Sequence, residues 1–337
     1  AKAGDSKVAG RGEFDLIADL FAPLTSSTPA ALGLKDDAAV FSVPEGFDLV
    51  TTVDAMVEDV HFFPADAANL VARKLLRVNL SDLAAMGAKP IGYLLTLVRP
   101  STVGEDWLQR FAHGLAADQR TFNIGLLGGD TVSTAGPLVL SLTALGQVAA
   151  GKSLLRSGAN PGDTIYVSGT IGDAGLGLAL VQDPEGQGFD NVSRDDRNAL
   201  VARLQCPEPR LELGQALAGV ATAAVDISDG LVADLAHIAS ASDVGMKLVL
   251  SDVPVSDAAA RIVGTDENSR LKLIAGGEDY ELAFTAPESA ASRIRKISKD
   301  LELSITPIGT VTAEKIIEVR GQNGDSLPVT SSGWTHF

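Results

Sequence analysis

Residues 90–133 constrain the fold most. PIGYLLTLVRP (90–100) reads as a strand, EDWLQRFAHGLAADQRTF (105–122) as an amphipathic helix, and IGLLGGDTVS (124–133) as a second strand. The alternation extends to both sides. GFDLVTTVDAMV (46–57) reads as a strand running into a loop, and PLVLSLTALGQV (137–148) as another strand. ANLVARKLLRVNLSDLAAMG (68–87) carries apolar residues at helical spacing and closes on a glycine. Strand and helix in alternation predict an α/β (α+β) fold.

At 337 residues the chain exceeds one comfortable hydrophobic core and suits two domains. RSGANPGD (156–163) is a cluster of turn formers and marks the junction. The expected domains are therefore 1–150 and 151–337. Beyond the junction, TIYVSG reads as a strand and GDAGLGLALVQ as a helix opening on glycines. QDPEGQGFDNVSRDD reads as a polar surface loop, followed by a helix from Pro209, the strand TAAVDIS, the helix DGLVADLAHIASAS and the strand MKLVLSDV. GGEDYELAFTAP and SITPIGTVTA are expected to supply further strands, with ASRIRKISKDLE as a helix between them.

GQVAAGKS (146–153) matches the phosphate-loop pattern G-x-x-x-x-G-K-[ST] letter for letter. A working loop of that kind needs a helix starting at its Lys-Ser, whose N–H groups and dipole hold phosphate. Only Leu154, Leu155 and Arg156 follow Ser153 before Ser-Gly-Ala-Asn-Pro-Gly, too little for a stable helix. The match is accidental.

Phosphate is better sought among the acids. The formal net charge is −16, from 43 acidic and 27 basic residues. There is no Lys/Arg run to serve as a nucleic-acid footprint. The single cysteine, Cys206, excludes an internal disulfide framework and a thiolate zinc site. No apolar run approaches the ~20 residues of a membrane span and no secretory signal pattern is visible, so the expected address is the cytoplasm.

Acids recur at predicted strand ends and helix starts: Asp36-Asp37 in LKDDAAVF, Asp54 in TTVDAM, Asp82 in NLSDLAAMG, Asp130 in LLGGDT, and Asp226 and Asp229 in AVDISDGL. Converging carboxylates repel one another without cations, and magnesium bridges carboxylates to substrate phosphates through hard oxygen ligands. Any one such acid can instead cap a helix or a turn. For Asp36 alone the turn is the better reading, and for Asp229 capping and ligation stand level.

GEFDLI, DDAAV, NLSDLAAMGA, GGDT, RSGANPGD, DISDGL and GGEDYEL together resemble the thiamine-monophosphate kinase family, within the superfamily of aminoimidazole ribonucleotide synthetase and selenophosphate synthetase. The resemblance runs from about Gly12 to Phe337 and rests on the order and spacing of the strings. It implies an N-terminal sheet domain that dimerises, a C-terminal α/β domain, and ATP with several Mg²⁺ ions in the cleft between them. The implied reaction is direct in-line transfer of the γ-phosphoryl group of ATP to thiamine monophosphate, giving thiamine diphosphate. Metal ligands implied by the match are Asp37, Thr52, Asp54, Asp82, Asp130, Asp226 and Asp229, with Asp130 and Asp229 as catalytic positions. Gly129, Asp130, Arg156 and Ser228 fall where ATP is contacted, and His61, Glu278 and Trp334 at substrate-contacting positions. A homodimer is implied, with neither nucleic acid nor membrane as a partner.

The chain departs from the family pattern at Gly33-Leu34-Lys35, where Gly-x-Gly is usual, and at Val53, where a hydroxyl residue is common. The alternatives are another ATP-using enzyme of the superfamily and a non-catalytic nucleotide-binding protein on the same scaffold. Cys206, in mid-chain beside prolines, argues against a selenophosphate synthetase, which would carry its reactive residue near the N-terminus.

Overall fold

The structure is a computed structural model that describes residues 12–186, 189 and 192–328. The chain gathers into two compact units. One comprises Ala1–Ser42, Val53–Leu75 and Ile91–Thr143, the other Val43–Thr52, Leu76–Pro90 and Ala144–Phe337.

After a single helical turn, α1 (Glu13–Leu16), and a run of π and 3₁₀ turns, four strands form the first sheet: β1 (Phe47–Val57), β2 (Lys89–Pro100), β3 (Gly125–Thr134) and β4 (Val139–Ala149), in the order β1-β4-β2-β3. Two helices connect them, α2 (Ala68–Ala85) and α3 (Glu105–Phe122). β2 and β3 pair in parallel with α3 as the crossover. A parallel pair requires such a connection. Leu108, Phe111, Ala112 and Leu115, at helical spacing, form the buried stripe of α3. Alternation governs the strands: Leu140, Leu142, Ala144 and Val148 of β4 are buried at every second position. Phe47, Leu49 and Val53, on alternate positions of β1, are exposed instead, Val53 by 60%.

The second sheet has the order β11-β10-β7-β9-β5-β8-β6. Its strands are β5 (Thr164–Ser168), β6 (Ala223–Asp226), β7 (Gly245–Val249), β8 (Leu282–Ala286), β9 (Ile305–Thr312), β10 (Ile317–Arg320) and β11 (Ser326–Leu327). β10 pairs with β7 in parallel, and the other registers are antiparallel. Helices α4 (Asp173–Gln182), α5 (Arg194–Gln205), α6 (Leu211–Ala216), α7 (Leu231–Ser242), α8 (Asp257–Val263), α9 (Glu267–Ile274) and α10 (Ala291–Asp300) are set between these strands. The main core joins Ile165, Val167, Val225, Met246, Leu248 and Val311 of the sheet to Leu231, Leu235 and Ile238 of α7. Each of those α7 side chains contributes about 2 kcal/mol by leaving water.

Three differences from the sequence expectations are informative. The stretch read as a polar loop through Asp196 already contains the first turn of α5, where the Ser193 Oγ accepts the Asp196 N–H at 3.1 Å. Within that stretch Phe189 is buried with Leu180, Leu200 and Ala258. Helices α8 and α9, capped by Ser256 and Asp266, have no counterpart in the apolar pattern. The strand expected from GGEDYEL begins only at Leu282, and residues 276–281 are irregular.

Candidate functional site

The C-terminal end of β6 organises one cluster. Asp226 closes the strand at 4% exposure, and its Oδ2 accepts a hydrogen bond from the Ser81 hydroxyl at 2.7 Å. The next residue of α2, Asp82, accepts the Thr52 hydroxyl of β1 at 2.5 Å. Two adjacent positions of one helix thus tie together Thr52, Asp82 and Asp226, all implied metal ligands. Their donors are carboxylate and hydroxyl oxygens without sulfur, a set that suits a hard divalent cation such as Mg²⁺.

Residues 227–230 link β6 to α7 and carry Ser228 and Asp229. Their backbone is fixed from below by Asp234, on the first turn of α7 and 2% exposed. One oxygen, Oδ2, accepts the N–H groups of Ser228 (2.9 Å), Asp229 (3.0 Å) and Gly230 (3.2 Å). Burial pushes the Asp234 carboxyl up to about 6, aided by the nearby charge of Asp229 and opposed by those three donors. Carboxylate oxygens of Asp229 and Asp234 and a ring nitrogen of His237 lie within 4.8 Å of one another.

The irregular segment 276–281 fastens onto the same loop. Glu278 N donates to Ser228 O, Tyr280 N to Ile227 O, and Ile227 N to Glu281 O, each at 2.8 Å. This contact explains the missing strand. A Cβ at Gly277 would lie 2.3 Å from the Ser228 carbonyl oxygen, and Glu278 and Tyr280 adopt φ of 71° and 51°. A ladder-forming conformation cannot follow that path. Behind the segment, Glu281 is fully buried and accepts from Arg203 Nη2 (2.9 Å), Arg210 Nε (2.6 Å), Arg210 Nη2 (2.5 Å) and Ser168 Oγ (2.6 Å). Asp279, 1% exposed, accepts the Gly172 N–H at 2.8 Å, and burial pushes its carboxyl up to about 8.

Asp234, Asp279, Glu281, Arg203 and Arg210 are the supporting residues that the motif reading passes over. Two signals were present. Asp234 falls one helical turn beyond Gly230 at the start of a helix, and Asp279 and Glu281 come just before the apolar run of β8. Acids in those places need buried partners.

The remaining implied residues are placed by their own elements. Asp54 shares a face of β1 with Thr52, two residues away, and is half-buried. Asp130 is exposed on β3 and accepts its neighbour's N–H, from Thr131, at 2.9 Å. Gly129 before it is held to glycine, because a Cβ there would meet the Leu95 carbonyl oxygen at 2.0 Å. Asp37 is exposed in a bend, with its N–H on Asp36 Oδ1 at 3.1 Å, as a turn residue would be. His61 Nδ1 accepts the Val57 N–H at 3.1 Å and its carbonyl accepts Lys74 Nζ at 3.0 Å. Arg156 is exposed, and its carbonyl accepts the Ser242 hydroxyl at 3.2 Å. Trp334 lies outside the described residues.

GQVAAGKS folds as the end of β4 and a turn. No helix begins at Lys152, and residues 152–163 form neither helix nor strand. No helix among the described residues is long and apolar enough to cross a membrane.

Comparison with known proteins adds to this geometry. The family described as AIR synthase related protein matches twice, its N-terminal domain over residues 35–148 and its C-terminal domain over 160–322. A thiamine-monophosphate kinase of Caulobacter vibrioides is 44% identical over 329 residues, covering 96% of this chain and 90% of the relative. The crystal structure of thiamine-monophosphate kinase from Stenotrophomonas maltophilia superposes with a TM-score of 0.83 at 39% identity, over 94% of this chain and 98% of its own. AaThiL complexed with AMPPCP and TMP gives 0.76 at 28% identity, over 97% of each chain. The chain belongs to the AIR synthase related family and, within it, to the thiamine-monophosphate kinases.

Proposed function

We propose that this chain transfers the γ-phosphoryl group of ATP to thiamine monophosphate, forming thiamine diphosphate and ADP. The observation that carries the reading is its chain-long match to a relative that holds AMPPCP and TMP together. The oxygen-donor cluster at the end of β6 supports it, because bringing two phosphates together demands neutralising charge. ATP is the co-substrate and Mg²⁺ the metal. When bound, Mg²⁺ supplies charge neutralisation for the phosphates.

The residues' tasks are those that the family resemblance implies. The nucleophile is a phosphate oxygen already ionised at neutral pH, so no strong general base is needed, and positioning dominates. Asp37, Thr52, Asp54, Asp82, Asp130, Asp226 and Asp229 offer oxygens to the cations. Gly129, Arg156 and Ser228 hold the nucleotide, Arg156 by its guanidinium. His61, Glu278 and Trp334 hold thiamine monophosphate. Asp130 and Asp229 take the catalytic positions.

A cytoplasmic homodimer with a domain boundary near residue 150 completes the reading. The exposed Leu49 and Val53 of β1 support the dimer, since apolar side chains on alternate positions of a strand suit burial against a second copy. The gap between the two family matches supports the boundary. Incubation with ATP, Mg²⁺ and thiamine monophosphate should yield ADP and thiamine diphosphate in equal amounts, with no product from free thiamine. Release of AMP, or of phosphate without thiamine diphosphate, would overturn it.

A further inference from the structure

The amino end of a helix that follows a strand is a ready anion site, with unpaired N–H groups and the positive end of the dipole. The connection from β6 to α7 has that form and sits among residues assigned to nucleotide and metal. Its amides, however, already have an acceptor. The N–H groups of Ser228, Asp229 and Gly230 converge on a single oxygen of Asp234, at 2.9, 3.0 and 3.2 Å. The loop's carbonyls are held as well, Ile227 O by Tyr280 N and Ser228 O by Glu278 N. A phosphate could reach the amides only by displacing a carboxylate that is 2% exposed.

We infer that Asp234 is a positioning residue that takes the place of an external anion on the loop amides leading into α7 and so makes the 226–230 loop a cradle for cations rather than for phosphate. Two consequences follow from its charge. It cancels the positive helix end, which would otherwise repel a cation held by Asp226 and Asp229. It also fixes the backbone, so that the side chains of Asp226, Ser228 and Asp229 are what the loop presents. A partner behind the ligands that orients them and tunes their charge typically changes metal affinity 10- to 100-fold when removed. The inference rests on the reading of Asp226 and Asp229 as metal ligands, and it deepens that reading by assigning nucleotide contact here to side chains, not amides.

The test is Mn²⁺ binding to the full chain in the presence of AMPPCP, followed by calorimetry, for the native protein and for Asp234→Asn. Asparagine keeps the shape and one acceptor oxygen and loses the charge. The variant should bind Mn²⁺ about tenfold more weakly and, in the kinase assay, need correspondingly more Mg²⁺ at an unchanged KM for thiamine monophosphate. Equal Mn²⁺ affinity in the two proteins, or no Mn²⁺ binding by the native one, overturns the inference. Should the variant fail to fold, hydrogen exchange of the native protein decides. The amides of residues 228–230 should exchange slowly without ligand and gain no protection from AMPPCP given without metal. Fast exchange, or protection by the nucleotide alone, overturns it. Because binding and exchange need no turnover, a protein inactive on thiamine monophosphate that still shows the Mn²⁺ difference would refute the kinase reading and leave this one standing.

Discussion

Two of the connections that leave a strand, Gly146–Ser153 and Asp226–Gly230, differ in an instructive way. Gly146–Ser153 carries the consensus letters and Asp226–Gly230 does not. After the first, the chain turns and no helix follows. Its amides have acceptors within the protein, Ala150 N on Gly46 O, Gly151 N on Asp48 Oδ2 and Lys152 N on Ala149 O, all at 2.9 Å. After the second, a twelve-residue helix begins, and the three loop N–H groups that lead into it, on Ser228, Asp229 and Gly230, meet Asp234. Letters alone do not make an anion site. A helix must follow, and the loop N–H groups that lead into it must lack an internal acceptor. Neither loop satisfies both conditions, so at these two places a phosphate would be met by side chains and cations rather than by amides.

The largest effect that could break the comparison is on turnover. Asp226→Asn and Asp229→Asn should each lower kcat about a thousandfold, the scale of losing one contact to charge developing in a transition state. Their melting temperatures should stay close to the native value. Steady-state kinetics at saturating Mg²⁺ decides, and a loss below tenfold in both would remove the β6–α7 loop from the centre of the chemistry.

Next comes the support behind that loop. Glu281→Gln leaves Arg203 and Arg210 facing a neutral amide in a fully buried place, which should cost about 3 kcal/mol in a denaturant titration. Segment 276–281 hangs on this residue, so its loss should also loosen the contacts of Glu278 and Tyr280 with residues 227 and 228. Asp234→Ala should cost about 2 kcal/mol, since water can reach some but not all of the three abandoned N–H groups. If Asp234→Ala proved neutral, the amides would have another acceptor and the contrast between the two loops would fade.

Much of this molecule is legible in its sequence, and the illegible parts share a cause. Helix α3 can be read because Leu108, Phe111, Ala112 and Leu115 repeat at helical spacing through the middle of its eighteen residues. Helix α5 buries Leu200 and Leu204 under a charged surface, so its apolar pattern is thin and the Ser193 cap is its main signal. α8 and α9 are shorter still. In the site, the implied ligands sit in recognisable strings, whereas Asp279 and Glu281 act through buried hydrogen bonds to distant residues and Asp234 through bonds to the amides of the loop before it. Glu281 meets Arg210 across 71 positions, a separation that local patterns do not encode. The segment GGEDYEL looks like the start of a strand because Tyr280 and Leu282 alternate, but tertiary contact with Ser228 overrides that preference.

The smallest expected effect is the most pointed. Lys152 is the residue a phosphate loop would use to reach the terminal phosphates of a nucleotide. Here it is exposed, its own N–H closes a turn on Ala149 O at 2.9 Å, and the chain beyond it forms no helix. The preceding amide, on Gly151, faces the Asp48 carboxylate, which would repel a phosphate placed there. Lys152→Ala should therefore change kcat and the KM for ATP by less than about twofold, and stability by less than ~0.5 kcal/mol, as for other exposed substitutions. Kinetics beside Asp226→Asn makes the measurement. Should Lys152→Ala raise the KM for ATP tenfold or more, nucleotide would be contacting the consensus loop despite its fold. The rule that a helix must follow such a loop would then fail in this chain.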